Sequence, residues 1–215
     1  MSDAPDLELA ARWREGDRAA GDELVGRYYD QLRGYFVNAV GEKEHLDLLH
    51  DTFVRLTTAL ARFEATASFR TFLFVIARNT RIDYYRKHYK IAKNFDASHS
   101  SVEDVAGVTP STAVTRLEEG RRLNACIRLL PIDDREMVEL FYWHGWRATE
   151  IAELFGKPEA TIRTRLRRAR LSVRHCLGEQ LEEVSRGDLV NELEQQLREL
   201  GCELGIPGGR EVIDP

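Results

Sequence analysis

A helix–glycine–helix pattern near residue 150 constrains the fold of this chain more than any other feature of its sequence. Residues 148–177 have the sequence ATEIAELFGKPEATIRTRLRRARLSVRHCL. Gly156 can adopt the left-handed conformation with which helices commonly end, and Pro158 suits the first turn of a following helix, where its missing N–H is not needed. The pattern therefore predicts two helices joined by a tight turn, a helix-turn-helix.

The second of these helices has an apolar face and a basic face. The apolar residues recur at steps of four, three and four, which predicts that they are buried: Ile162, Leu166, Ala169 and Val173. The opposite face lies where a helix-turn-helix inserts side chains into the DNA major groove, and it carries Arg163, Thr164, Arg167 and Arg168. Arginine can donate two hydrogen bonds to guanine, worth about 1–3 kcal/mol of base discrimination.

Four further basic residues are expected to bind phosphates and so to set affinity without specifying sequence: Lys157, Arg165, Arg170 and Arg174. An arginine-rich solvated helix in an ordinary bundle is the alternative. The glycine and proline at the turn favour the DNA-binding interpretation, because an ordinary bundle does not require them at those positions.

The remainder of the chain also has helical periodicity. Leu24, Tyr28, Leu32 and Phe36 repeat at steps of four after a start expected at Asp22, and helices are predicted at about 43–61 and 68–93. The first of these two has an apolar stripe: Leu49, Phe53, Leu56 and Leu60. No strand pattern with hairpin turns competes, so the fold class is predicted to be all-α.

A polar segment, 94–111, divides the chain, since it contains Gly107, Pro110 and three acidic residues but no lysine or arginine. We therefore expect two small helical domains, 1–93 and 112–177, joined by a flexible acidic linker. An acidic extension, 178–215, follows, and its leucines have helical spacing: Leu189, Leu193, Leu197, Leu200 and Leu204.

The formal net charge is −5, but the charge is unevenly distributed and two segments are basic. The extension has ten acidic and three basic residues, whereas 69–93 has seven basic residues and only Asp83, and 159–175 has six arginines and only Glu159. Such segments indicate binding to phosphate, and a solvated helix face is the alternative for either of them. The aromatic residues within 69–93 suit stacking on unpaired bases, although core packing is the alternative for most of them; core positions are expected for Phe74 and Ile76.

Other protein classes are less well supported. The N-terminus does not resemble a signal peptide and no apolar run is long enough to span a bilayer, so we expect a cytoplasmic protein without membrane insertion. Cys126, Cys176 and Cys202 are widely spaced, which predicts reduced thiols. An enzyme using His175, Cys176 and Cys202 as metal ligands is an alternative that the spacing does not support. No cofactor is expected.

Three motifs in this order resemble the extracytoplasmic-function group of bacterial sigma factors: DLLHDTFVRL, SFRTFLFVIARNTRIDYYRK and, after the acidic segment, LPIDDREMVELFYWHGWRATEIAELFGKPEATIRTRLRRARLSVR. The resemblance covers residues 10–177. It implies a non-enzymatic protein that binds core RNA polymerase and directs initiation at promoters with minus-thirty-five and minus-ten elements. A helix-turn-helix regulator that binds an operator by itself is the alternative.

The resemblance also implies roles for particular residues. The set that would bind the beta-prime clamp helices of polymerase is Asp47, Leu48, Asp51 and Arg55; these residues share a face separate from the Leu49 stripe. The set near the minus-ten element is Phe69, Phe72, Arg78, Asn79, Arg86 and Lys87. The basic face of the helix-turn-helix matches the minus-thirty-five contacts. The beta flap is a further implied contact, and the acidic linker resembles a segment that enters the RNA-exit path.

Some positions depart from the family pattern. Phe72 occupies a position where tryptophan is usual, His50 one where glutamine is common, and Arg147 one where a serine or aspartate helix cap is common.

The acidic extension, 178–215, lies outside the resemblance. One hypothesis is that it packs on the chain's own basic domains and lowers promoter or polymerase binding; a solvated helix and a simple addition to the core are the alternatives. An anti-sigma factor is a further candidate partner.

Overall fold

A computed structural model of the chain describes residues 5–40, 43–63, 67–88, 118–178 and 188–203. Regular structure in these ranges is helical throughout, which confirms the predicted all-α class. The first domain contains α1 (Asp6–Arg14), α2 (Arg18–Val40), α3 (His45–Ala59) and α4 (Phe69–His88), with a 3₁₀ turn, Leu60–Arg62, after α3. None of the helices described is long and apolar enough to cross a membrane.

The second domain contains α5 (Glu118–Arg128), α6 (Ile132–Val138), α7 (Ala148–Phe155) and α8 (Glu159–Cys176). A single turn of π-helix, Glu139–Trp143, continues α6, and α9 (Asp188–Glu203) belongs to the C-terminal extension. The predicted linker, 94–111, lies outside the described residues.

Helix α2 begins earlier than the sequence predicts. Gly16, with a φ of 102°, turns the chain after α1, and the Asp17 carboxylate accepts a hydrogen bond from the Ala20 backbone N–H at 3.3 Å. Aspartate is a preferred N-cap because its side chain satisfies a backbone N–H that has no partner within the helix. Asp17 therefore starts α2 at Arg18, and the expected start at Asp22 was one turn too late.

The core of the first domain follows the predicted periodicity. Leu24, Tyr28, Leu32 and Phe36 of α2 are all buried, and they pack among buried residues of α3 and α4. Phe74 of α4 is fully buried, as expected, whereas Ile76 is only partly buried and packs against the edge of the core.

The helix-turn-helix of the second domain has the predicted turn. Gly156 adopts the left-handed conformation at the end of α7, with a φ of 59°. Pro158 lies immediately before α8 instead of inside its first turn. All four predicted core residues of α8 are buried: Ile162, Leu166, Ala169 and Val173. At the start of α7, Glu150 accepts a hydrogen bond from the Arg147 backbone N–H at 2.7 Å, whereas the Arg147 side chain caps no N–H of the first turn.

The cysteines differ from expectation. Cys126 of α5 and Cys176 of α8 form a disulfide, with their Cα atoms 5.7 Å apart, whereas Cys202 is free and exposed. The expectation of three reduced thiols was therefore wrong for this pair. A sequence separation of 50 residues gives no information about distance in space, and only the packing of α5 against α8 brings the two residues together.

The contact between α1 and α2 gives a stability prediction. A Cβ atom at Gly21 would lie 2.6 Å from the Trp13 indole nitrogen, so we expect Gly21→Ala to lower the free energy of unfolding by about 1–3 kcal/mol. Gly26→Ala is a matched control in the same helix, since a Cβ atom there meets nothing within 4 Å and should stabilise the helix by about 0.5–1 kcal/mol. Chemical denaturation measures both changes, and equal effects would contradict the predicted close contact.

Candidate nucleic-acid interface

The outer face of α8 carries the four predicted base-contacting residues, and all four are exposed: Arg163, Thr164, Arg167 and Arg168. Arg163 forms an ion pair with Glu159 of the same helix at 2.8 Å, and the Thr164 hydroxyl donates to the Ala160 carbonyl at 2.8 Å. Arg167 and Arg168 make no hydrogen bond or ion pair with any residue that the structure describes. Their guanidinium groups therefore project into solvent and are accessible to a ligand.

The predicted phosphate contacts are less exposed than this face. Lys157, Arg165, Arg170 and Arg174 are half-buried. The Arg165 Nε donates to Asp134 of α6 at 2.5 Å and its guanidinium lies 3.6 Å from Asp133, while Arg170 pairs with Glu194 of α9. Burial raises the pKa of Asp134, although the Arg165 hydrogen bond opposes that rise. Arg165 and Arg170 are thus held by carboxylates from other helices.

The predicted minus-ten residues fall into two groups. Asn79, Arg86 and Lys87 are exposed on α4. Phe69 is buried between the rings of Tyr28 and Phe63, with centroid distances of 5.7 and 5.9 Å, and the half-buried Phe72 packs on Phe63 at 4.7 Å. In this arrangement the Phe69 ring has no free face on which a base could stack.

Arg78 does not face solvent but lies between the two domains. Its NH2 group is 2.5 Å from Asp133 and its Nε is 3.2 Å from Glu136, both on α6, and the guanidinium lies 4.5 Å above the Phe155 ring of α7. Burial opposes ionisation of Arg78, but the two carboxylates outweigh it and raise the pKa of the guanidinium. Arg78 therefore stays charged and acts here as a contact between domains.

Glu136 is the centre of this interface. Its side chain is 1% exposed and accepts hydrogen bonds from Arg78 and, at 2.5 Å, from the Tyr35 hydroxyl of α2; it also pairs with Arg81, which is 3% exposed. Burial raises the pKa of the Tyr35 phenol, so the phenol keeps its proton and remains a donor. Arg135 adds a second link between domains, a 2.6 Å hydrogen bond to the Asn38 carbonyl.

An aromatic contact lies beside this charged cluster. The Arg70 guanidinium lies 4.5 Å above the Trp146 ring and donates to the His144 carbonyl at 2.9 Å. The Phe74 and Trp146 rings meet across the interface with centroids 4.9 Å apart. Burial, and secondarily the charge of Arg70, lowers the pKa of His144 to about 3, so its imidazole is neutral near pH 7.

The predicted polymerase-binding residues surround one cleft between α3 and α4, of about 290 Å³. The cleft is lined by Glu44, Asp47, Leu48, Asp51, Arg55, Thr80, Asp83, Tyr84 and Lys87. Arg55 spans it through a 2.8 Å ion pair with Asp83. Asp47, Asp51 and Arg55 are exposed, whereas Leu48 is buried at the base of the cleft.

Two exposed apolar side chains on α3 were missed by the sequence analysis. Leu46 and Val54 are 52% and 51% exposed, and both lie beside the acidic face of the helix. For Val54 the spacing carried the signal, since it follows Asp47 by seven residues and Asp51 by three, which places the three on one face. An exposed apolar and acidic face is suited to binding another protein.

The described residues offer no evident metal site. Cys176 has its sulfur in the disulfide, and within 5–40, 43–63, 67–88, 118–178 and 188–203 no three His, Cys, Asp or Glu residues are grouped to hold a metal ion.

Two family models match the chain. Residues 24–91 match the model described as sigma-70 region 2, and residues 120–173 match the model described as sigma-70, region 4. The first range covers most of α2 through α4, and the second covers α5 to α8 nearly completely. Each match thus falls within one of the two helical domains.

Two curated relatives are sigma factors. The probable RNA polymerase sigma factor RfaY of Xanthomonas campestris pv. campestris is 33% identical over 143 residues, which are 66% of this chain but only 36% of RfaY. The RNA polymerase sigma factor CarQ of Myxococcus xanthus is 31% identical over 179 residues, which are 81% of this chain and 99% of CarQ.

A solved structure has the same fold. The structure of CnrH in complex with the cytosolic domain of CnrY aligns with a TM-score of 0.60 and 25% identity, covering 80% of this chain and 97% of that one. Other relatives are named as extracytoplasmic-function sigma factors, among them SigW of Bacillus subtilis. Since CarQ matches over nearly its whole length and both domains match sigma-70 models, the chain belongs to the RNA polymerase sigma factors, in their extracytoplasmic-function group.

Proposed function

We propose that this sigma factor recognises the minus-thirty-five element with the outer face of α8, through Arg163, Thr164, Arg167 and Arg168. The main support is that Arg167 and Arg168 project into solvent from the second helix of a helix-turn-helix, while Arg165 and Arg170 are held by carboxylates. Accessible arginines on such a helix can form paired hydrogen bonds with guanine in the major groove. Lys157, Arg165, Arg170 and Arg174 are assigned to phosphates at the edges of the groove, where Arg165 and Arg170 would exchange their carboxylate partners for phosphates.

The minus-ten element is assigned to α4 and its neighbourhood. Asn79, Arg86 and Lys87 are accessible as the chain stands, whereas Phe69, Phe72 and Arg78 are packed. Arg78 can contact DNA only after it leaves Asp133 and Glu136, which requires the two domains to separate. We therefore assign the closed arrangement to the free protein and a separated arrangement to the promoter-bound protein.

Polymerase binding is assigned to the α3–α4 cleft. Asp47, Asp51 and Arg55 supply charged groups on its rim, and Leu48 lies below them. The beta-prime clamp helices are the proposed partner of this cleft, and the beta flap that of the second domain. The domain limits 1–93 and 112–177, with a linker at 94–111, suit this division of roles. The protein acts in the cytoplasm with core polymerase and without a catalytic site of its own.

The polymerase interface is tested by neutralising its acidic rim. We expect Asp47→Asn with Asp51→Asn to weaken binding to core polymerase by about tenfold, because both carboxylates lose their charge at a protein interface. Asp22→Asn with Asp30→Asn is the matched control, since both residues are exposed on α2, away from the cleft. Affinity is measured with labelled chain and purified core polymerase. Failure of the unmodified chain to bind core polymerase would favour the stand-alone regulator instead.

The upstream contact is tested by comparing two arginines of α8. Arg167→Ala should weaken holoenzyme binding to a matching minus-thirty-five element by roughly 5- to 150-fold, the equivalent of 1–3 kcal/mol of base discrimination, and have little effect on a scrambled element. Arg170→Ala should weaken both by a similar factor, because a phosphate contact is independent of sequence. Equal losses on both templates for both variants would contradict this division.

The closed arrangement is tested at Glu136. Glu136→Gln leaves the buried Arg81 without a full counter-charge, which costs about 3–5 kcal/mol in a closed interface, so the domains should separate. We expect a larger radius of gyration by small-angle X-ray scattering. Glu153→Gln, on an exposed position of α7, is the control and should leave the radius unchanged. An unchanged radius for Glu136→Gln would show that this carboxylate does not hold the domains together.

A further inference from the structure

Helix α9 of the C-terminal extension packs in a groove of the second domain that closely matches its shape. Leu193, Leu197 and Leu200 are buried, and the Trp143 indole N–H donates to the Leu197 carbonyl at 2.7 Å. Gly201 completes the fit, because a Cβ atom there would lie 2.5 Å from Cδ1 of Trp143. The groove therefore receives one face of an amphipathic helix and requires a small residue where that helix meets Trp143.

The same helix brings a carboxylate to α8. Glu194 pairs with the Arg170 guanidinium, and the Tyr142 hydroxyl lies 3.4 Å from the same carboxylate oxygen. Arg170 follows Arg167 by one turn of α8, so this ion pair lies next to the exposed face that carries the proposed base contacts. A residue from outside both sigma-70 matches thus engages the helix assigned to DNA.

We propose that α9 is an intramolecular ligand of the second domain, and that its Glu194 carboxylate holds Arg170 in the place of a DNA phosphate. This inference rests on the proposed phosphate contact of Arg170. A carboxylate and a phosphate are both oxyanions that a guanidinium binds with paired hydrogen bonds, so one excludes the other at the same donors. The net charge of −7 on residues 178–215 adds repulsion toward the DNA backbone.

The Glu194–Arg170 contact is expected to lower the affinity for DNA of any sequence. Since a phosphate carries no sequence information, α9 should weaken binding to every duplex by a similar factor and leave the preference for the upstream element unchanged. Displacement of α9 from the Trp143 groove by a competing amphipathic helix would raise DNA affinity. The Trp143 groove is therefore a helix-binding surface, and α9 fills it in the structure.

The decisive experiment compares two isosteric substitutions in α9 of the full chain. Glu194→Gln removes the charge that holds Arg170. Glu199→Gln removes the same charge from an exposed residue whose hydrogen-bond partner, among the residues that the structure describes, is Gln195. Binding to a fluorescent duplex is followed by anisotropy over a range of salt concentrations. We expect Glu194→Gln to tighten binding by about two- to fivefold, as for loss of a partly exposed ion pair, and Glu199→Gln to have a much smaller effect. Equal effects of the two would overturn the proposal.

Arg170→Ala completes a double-mutant cycle. In that background Glu194→Gln should no longer tighten binding, and a persistent gain would overturn the role assigned to α9. In the Glu194→Gln background, Arg170→Ala should weaken binding; if it has no effect, the phosphate contact itself is wrong. The two failures are therefore distinguishable, and neither depends on the polymerase-binding assay.

The groove is tested separately at Gly201. Gly201→Leu changes no charge but overlaps the Trp143 ring, so it should release α9, expose it to limited proteolysis and tighten duplex binding at least as much as Glu194→Gln. Release of α9 without a gain in duplex affinity would overturn the proposal. Glu194 is partly exposed and its substitution by glutamine is isosteric, so this variant should fold normally. It tests the gain in duplex affinity even if the Gly201 variant does not fold.

Discussion

Pairing between guanidinium and carboxylate groups organises this molecule. The first domain supplies Arg78 and Arg81 and the second supplies Asp133 and Glu136, and most of these groups are buried where an unpaired charge would be costly. An interface of this kind is stable while every partner is present but loses much of its stability when one leaves. It is therefore suited to two domains that must hold together in one state and separate in another.

Three arginines expected to contact DNA are paired within the chain by this same chemistry. Arg78 and Arg165 are bound by carboxylates of α6, and Arg170 by the carboxylate of α9. The outward arginines of α8, Arg167 and Arg168, remain accessible. If the proposed roles are right, Arg167 and Arg168 would stay open for base contacts while part of the chain's general affinity for polyanions is neutralised, which would limit association with bulk DNA.

The sequence predicted the features that depend on local periodicity. Residues three and four apart determine the faces of α8, and Gly156 determines the turn before it. Pairing between distant segments was not predictable: nothing around Arg78 indicates that it would meet Asp133, and spacing did not reveal the bond between Cys126 and Cys176. In the cleft proposed to bind polymerase, Leu48 was assigned to an outer face but lies inward, since the buried face of α3 is wide enough to include it beside Leu49 and Thr52.

Asp133 has one oxygen 2.5 Å from Arg78 of α4 and the other 3.6 Å from Arg165 of α8. One carboxylate is thus shared between the helices assigned to the two promoter elements. If both arginines contact DNA as proposed, transfer of one would leave Asp133 to the other, and occupancy of one element would then alter the affinity for its counterpart. Thermodynamic linkage would make that influence reciprocal, so that one side chain would couple the two proposed promoter contacts.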